Sequence, residues 1–231
     1  IFTHNGWIIL TASELCNYEA HSLSICYLFS CKEAAFAKKL KIRYNATNQR
    51  DSLAGVHVME YRNYGKTGIR TAALGFGAMR FEDPMDTEKS AATVYRAFDK
   101  GITYFDTAPG YCQDQSEIIT GTAIKEMQKT GNPFLVSTKS SRPSGADVRK
   151  QLEQSLKRLN VDAIDFYHCW YILTMKDWEG RKKGGAVAEI MKAKEEGLIN
   201  HAAFSTHLQG TDIRRVIEEG YFEGVTLGYS V

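Results

Sequence analysis

ITYFDTAPGYCQDQSEIITGTAIKEMQKTGNPFLVSTK, residues 102–139, decides the fold. It opens on an apolar run of strand length, ITYFDTA, and breaks at Pro109-Gly110. A helical pattern follows, SEIITGTAIKEMQKTG, with Ser116 near its start and Gly131 at its end. A second apolar strand, FLVSTK, closes the stretch. Strand, helix, strand is the repeat of a βα fold. Just past the first break stand a carboxylate and a phenol five residues apart, Asp106 and Tyr111.

Working outward, the same alternation continues on both sides. Upstream, MEYRNYGKTGIRTAALGFGAM (59–79) reads as two short strands around a turn at Lys66-Thr67-Gly68, then a third run ending in Gly75-Phe76-Gly77. DTEKSAATVYRAFDKG (86–101) reads as a helix with Asp86 as N-cap and Gly101 closing it. Downstream come a helix in SGADVRKQLEQSLKRLN (144–160), a strand in AIDFYHCWYI (163–172) and a helix in GGAVAEIMKAKEEGL (184–198). A strand in INHAAFSTH (199–207), a helix in TDIRRVIEEGYF (211–222) and a strand in GVTLGYSV (224–231) complete the chain. The strands are mostly apolar runs and the helices amphipathic, as in a parallel sheet covered by helices.

An open doubly wound sheet and a (β/α)8 barrel both fit that pattern. GFGAM lacks the third glycine of a dinucleotide-binding fingerprint, which lowers the odds of the open sheet. The strands recur near residues 74, 104, 136, 166, 202 and 227, so six βα units are expected. A whole barrel takes about 250 residues. The fold expected is α/β, a (β/α)8 TIM barrel that is incomplete at about six of eight units, with an N-terminal β-hairpin. Six strands would leave an open edge and an uncovered core. Residues 59–231 form the barrel. Residues 1–58 lack a sustained period and read as a non-domain extension or translated leader.

The totals bound the rest. The net charge of +2, with bases spread among acids, gives no electrostatic case for nucleic acid. No apolar run is long enough for a membrane span. Five cysteines, Cys16, Cys26, Cys31, Cys112 and Cys169, make neither a disulfide framework nor a CxxC metal pair, so no metal site is expected and reduced cytoplasmic thiols are.

Barrel enzymes carry their chemistry at the C-terminal strand ends. Those ends bring Asp106 with Tyr111 in its loop, Lys139, His168, and Ser205-Thr206-His207 to one rim. An ammonium beside a phenol favours the phenolate, and a carboxylate beside the ammonium keeps it charged. An imidazole can orient a substrate oxygen. Together these suit protonation of a carbonyl while a nicotinamide delivers hydride. A strand-end lysine can also form a Schiff base, as in a lyase, though the Asp106–Tyr111 spacing argues against it.

The segments YRNYGKTGIRTAALGFGAMR (61–80), GITYFDTAPGYCQDQSE (101–117), FLVSTK (134–139), QLEQSLKRLNVDAIDFY (151–167) and EEGLINHAAFSTH (195–207) resemble the aldo-keto reductases in unbroken order. That resemblance implies an NADP(H) cofactor and reversible reduction of a small aldehyde or ketone to an alcohol. It also implies Tyr111 as general acid, Lys139 as the group lowering its pKa and Asp106 as the partner of Lys139. Cofactor contacts are expected at Gly77, Met79, Asp106, Ser205 and Thr206. The family's usual histidine falls at Trp170, which becomes a candidate substrate wall, with His168 as the replacement catalytic imidazole. Thr206 stands where the family has asparagine. FSTH is similar to a bacterial branch in which some members carry a C-terminal iron–sulfur segment, which would lie beyond Val231. Some proteins of this fold bind the cofactor only as partner subunits. In the family the adenosine phosphates are held by loops after the last two strands, so the 231-residue chain alone is expected to be inactive.

Overall fold

The computed structural model describes residues 59–228 and the backbone of two earlier strands, β1 (Trp7–Thr11) and β2 (Cys26–Phe29). The extension expected over residues 1–58 therefore falls almost wholly outside the described residues.

A hairpin of β3 (Tyr61–Asn63) and β4 (Arg70–Ala72) comes next, turning at the expected Lys66–Gly68. The βα units follow: β5 (Leu74–Gly77), α1 (Thr87–Asp99), β6 (Tyr104–Asp106), α2 (Ser116–Lys129), β7 (Leu135–Ser140), α3 (Gly145–Leu159) and β8 (Ile164–Ile172). After β8 stand two helices, α4 (Met175–Lys183) and α5 (Ala186–Glu195), then β9 (Ile199–Thr206), α6 (Gly210–Glu218) and β10 (Gly224–Gly228).

The caps are those the residues favour. Asp86 accepts from the Lys89 amide at the start of α1, and Ser144 accepts from the Asp147 amide at the start of α3. Asn160 ends α3 in the left-handed region, φ 56°. Helix α4 lies outside the expected pattern. Its sequence signal is a capping box, in which the Thr174 hydroxyl accepts from the Asp177 amide and the Asp177 carboxylate accepts from the Thr174 amide. MKDWEGRKK is polar almost throughout, so apolar periodicity does not reveal it; Trp178 alone is buried.

Strands β5 to β10 pair in sequence order, each parallel to the next, with at least one helix between each pair. This is the expected incomplete (β/α)8 barrel of six units. The open edge is not found. β1 runs antiparallel to β10 and to β2, and β2 runs parallel to β5, so the ring closes. The unpaired N–H and C=O rows of β5 and β10 are satisfied by this pair of strands.

Inside the helical layer one continuous core joins Phe76, Phe98, Phe105, Ile119, Leu152, Trp178, Ile190 and Phe204. Each such side chain contributes about 1.5–3 kcal/mol on burial. The β3–β4 hairpin covers the end of the barrel where the strands begin. Tyr61 Oη donates to the Gly101 carbonyl just before β6 (3.0 Å), and the Ala72 amide donates to Thr103 Oγ1 (2.8 Å). Tyr64 packs on Phe166, ring centroids 4.6 Å apart, and a Cβ on Gly224 would come within 2.5 Å of its hydroxyl. One mouth is thus plugged, and the C-terminal rim is left for the site.

Candidate active site

β6 and β7 lie side by side, so their ends place a carboxylate and an ammonium together. Asp106 Oδ2 accepts from Lys139 Nζ at 2.5 Å, and Asp106 Oδ1 accepts from Ser137 Oγ at 2.5 Å. Both ionic side chains are almost fully buried, Lys139 at 3% and Asp106 at 5% exposure. Burial works against the Lys139 charge, but Asp106 and Tyr111 outweigh it and raise its pKa above the usual value. An ion pair this deep holds together because each partner is hydrogen-bonded as well as paired.

Tyr111 lies over this pair. Lys139 Nζ is 5.2 Å from the centre of its ring. Its pKa was expected to fall. Burial instead lifts it above 10.0, and the lowering by Lys139 offsets only part of that rise. The phenol therefore carries its proton at neutral pH. The chain reaches Tyr111 through Pro109 and Gly110, the latter at φ 81°. Beyond it, Cys112, Gln113 and Asp114 are all left-handed, at φ 53°, 56° and 68°. Ser116 fixes the far side of the loop, its hydroxyl bonded to the Ala78 carbonyl and to Thr107 Oγ1, both at 2.6 Å.

Trp170 stands at the same rim and meets Tyr111 edge to face, centroids 5.5 Å apart. It sits in a bulge of β8, where Cys169 and Ile172 oppose Phe204 and Thr206 of β9. His168 lies one layer deeper, opposite Lys139 in the register. It is wholly buried. A carbonyl can only accept, so Nδ1 donates to Thr138 O (3.4 Å), and Nε2 then accepts from the Thr226 hydroxyl (3.1 Å). Burial, reinforced by the Lys139 charge, pushes its pKa down to about 4. Both ring nitrogens are thus engaged within the barrel wall.

The expected cofactor contacts differ in what they have free. The Ser205 hydroxyl accepts from the Tyr171 amide (3.2 Å) and keeps its own hydrogen to donate. The Thr206 hydroxyl donates to the Ile172 carbonyl (2.8 Å) and accepts from the Leu208 amide (2.9 Å), so its one hydrogen is committed within the chain. Both Asp106 oxygens are taken by Ser137 and Lys139. Gly77 is buried beside Asp106 on β5, and the Met79 carbonyl accepts from Cys112 Sγ (3.1 Å).

The model of the Aldo/keto reductase family matches residues 73–223. An L-galactose dehydrogenase of Arabidopsis thaliana is 38% identical over 120 residues, which are 48% of this chain and 38% of that protein. The aldo-keto reductase YhdN of Bacillus subtilis is 37% identical over 123 residues, 47% of this chain and 37% of that protein. Among solved structures, an aldo-keto reductase from Bacillus halodurans in its holo form superposes with a TM-score of 0.57 at 26% identity, covering 70% of this chain and 53% of that one. The chain thus spans well under two thirds of the length of these relatives.

Proposed function

The chain belongs to the aldo/keto reductase family, and from that premise we propose that the complete protein is an NADP(H)-dependent oxidoreductase reducing a small aldehyde or ketone to an alcohol. The observation that carries this reading is the buried Asp106–Lys139 pair under a protonated Tyr111.

No side chain can donate hydride, so this reading calls for a nicotinamide partner, which would supply a hydride equivalent when bound. Gly77, Met79 and Ser205 are the residues that would hold it, Ser205 through its unused hydroxyl hydrogen. Tyr111 Oη donates its proton to the carbonyl oxygen as the carbinol carbon forms. The phenolate left behind is stabilised by the Lys139 ammonium, whose charge Asp106 maintains. In the alcohol-oxidising direction the same oxygen takes the proton back. Trp170 supplies an apolar wall against which a substrate can lie. His168 is assigned to the wall as a positioning group behind Lys139, since both its nitrogens are occupied.

The test is carbonyl-dependent NADPH oxidation by the complete protein and its Tyr111→Phe variant. Loss of a general acid costs on the order of 10²–10⁴ in rate. NADPH binding without turnover in the wild type, with Tyr111→Phe identical to it, would identify a non-catalytic cofactor-binding subunit instead. Borohydride trapping of a substrate on Lys139 would point to the lyase.

A further inference from the structure

We infer that Arg158 is a positioning residue: its guanidinium latches the Tyr111 loop to the barrel and sets where the phenol stands over Lys139. This rests on the catalytic reading of Tyr111, which nothing in the latch itself requires.

Arg158 comes from the last turn of α3, far from the rim in sequence. Its two terminal nitrogens grip Asp114 as a fork, Nη1 to Oδ1 at 2.8 Å and Nη2 to Oδ2 at 2.6 Å. Nη1 also reaches Glu117 Oε2 at 3.4 Å. A planar guanidinium binds a carboxylate this way and an ammonium does not. The two acids lead to the two halves of the site. Asp114 ends the left-handed run that begins next to Tyr111, and its Oδ1 also accepts from the Gly110 amide at 3.2 Å. Glu117 is buried at 1% exposure, and its Oε1 accepts from Thr138 Oγ1 at 2.7 Å. Thr138 is the neighbour of Lys139 on β7. One cation therefore ties the proton donor's loop to the strand of its lysine partner.

Three details show that the arrangement is held rather than incidental. Three consecutive non-glycine residues at positive φ cost free energy, so the loop stays in this shape only where something fastens its ends. Ser116 fastens one side and the Arg158–Asp114 fork the other. A buried Glu117 without a cation would be strongly unfavourable, which keeps Arg158 in place. The close approach of α2 to the end of α3 needs a glycine as well: a Cβ on Gly121 would fall 2.0 Å from the Arg158 carbonyl. The geometry delivering Arg158 is thereby built into the helix packing.

Cys112 reports on the latch without any need for turnover. It lies in the loop, half-buried, with Sγ on the Met79 carbonyl. Iodoacetamide labelling of the 231-residue chain, with the modified cysteine located by mass spectrometry, measures how often the loop opens. Arg158→Gln and Asp114→Asn should each speed labelling of Cys112 by about tenfold, the ratio that about 1.4 kcal/mol of lost pairing produces. Arg158→Lys keeps the charge for Glu117 but not the fork, and should fall between. Electrostatics alone predicts otherwise. Removing a cation raises the thiol pKa and slows labelling, whereas removing a carboxylate lowers it and speeds labelling. Acceleration in both variants therefore supports the latch. Arg158→Lys keeps the positive charge, so faster labelling there cannot come from electrostatics, and it stays informative if Arg158→Gln does not fold. Labelling at the wild-type rate in Asp114→Asn, or slower labelling in a folded Arg158→Gln, overturns the proposal. In the complete protein the same variants should lower kcat for carbonyl reduction and leave the KM for NADPH unchanged. If the wild type reduces no carbonyl, the catalytic reading fails while the labelling still decides the latch.

Discussion

Two residues show how burial selects between protonation states at this site. Tyr111 and His168 are both pushed toward their neutral forms, the first above its usual value and the second well below it. For His168 the consequence is a stability that depends on pH. Its folded pKa lies near 4 against an ordinary 6.5. As pH falls through 6.5 the unfolded chain takes up a proton that the folded ring refuses, so stability present above that pH is lost on the way down to about 4. The full loss is about 3 kcal/mol, and about 1.4 kcal/mol of it is expressed by pH 5.5. Urea midpoints at pH 7.5 and 5.5 should show that drop in the wild type and not in His168→Gln. An equal drop in both would mean that the imidazole is not the group titrating. Asp106, Tyr111 and Lys139 were legible in the sequence because residue type, spacing and strand-end position all agree there. The net rise of the Tyr111 pKa was not, because desolvation depends on what packs around the ring, and Trp170 and the loop backbone are brought there only by folding.

At the scale of elements, β8 departs from an ideal strand between Cys169 and Ile172. Its bulge leaves Tyr171 at φ 69° and 47% exposed, with Trp170 turned to the rim. A bulky residue there carries about 1 kcal/mol of backbone strain. Tyr171→Gly should therefore be more stable than Tyr171→Ala by about that amount, the reverse of the order expected inside a regular strand. Chemical unfolding of the two variants decides it, and an Ala variant at least as stable as the Gly variant would contradict the strain. AIDFYHCWYI reads as one continuous strand because a bulge adds a residue without changing the apolar character of the run. Helix α4 was missed for a related reason: it rests on the Thr174–Asp177 capping box and a single buried tryptophan, with no periodic stripe to announce it.

For the molecule as a whole, the two ends of the barrel are specialised. The β3–β4 hairpin seals one end through Tyr64, Tyr104 and Phe166, and the polar groups gather at the other. Tyr64→Ala should cost about 3–5 kcal/mol, the range for emptying a buried aromatic site. Its urea midpoint should fall while the rate of Cys112 labelling under native conditions stays the same. A changed labelling rate would show that the two ends are coupled. The strand–helix alternation, the six-unit barrel and the rim position of Asp106, Tyr111 and Lys139 followed from the sequence alone, because each depends on local periodicity, turn chemistry and the rule that strand ends carry the site. Four features were decided by tertiary structure: the closure of the ring by β1 and β2, the locking of His168 between Thr138 and Thr226, the bulge under Trp170, and the grip of Arg158 on Asp114 and Glu117. Each joins segments far apart in the chain, and no local pattern states which distant strand, carbonyl or carboxylate a group will meet once the core has packed.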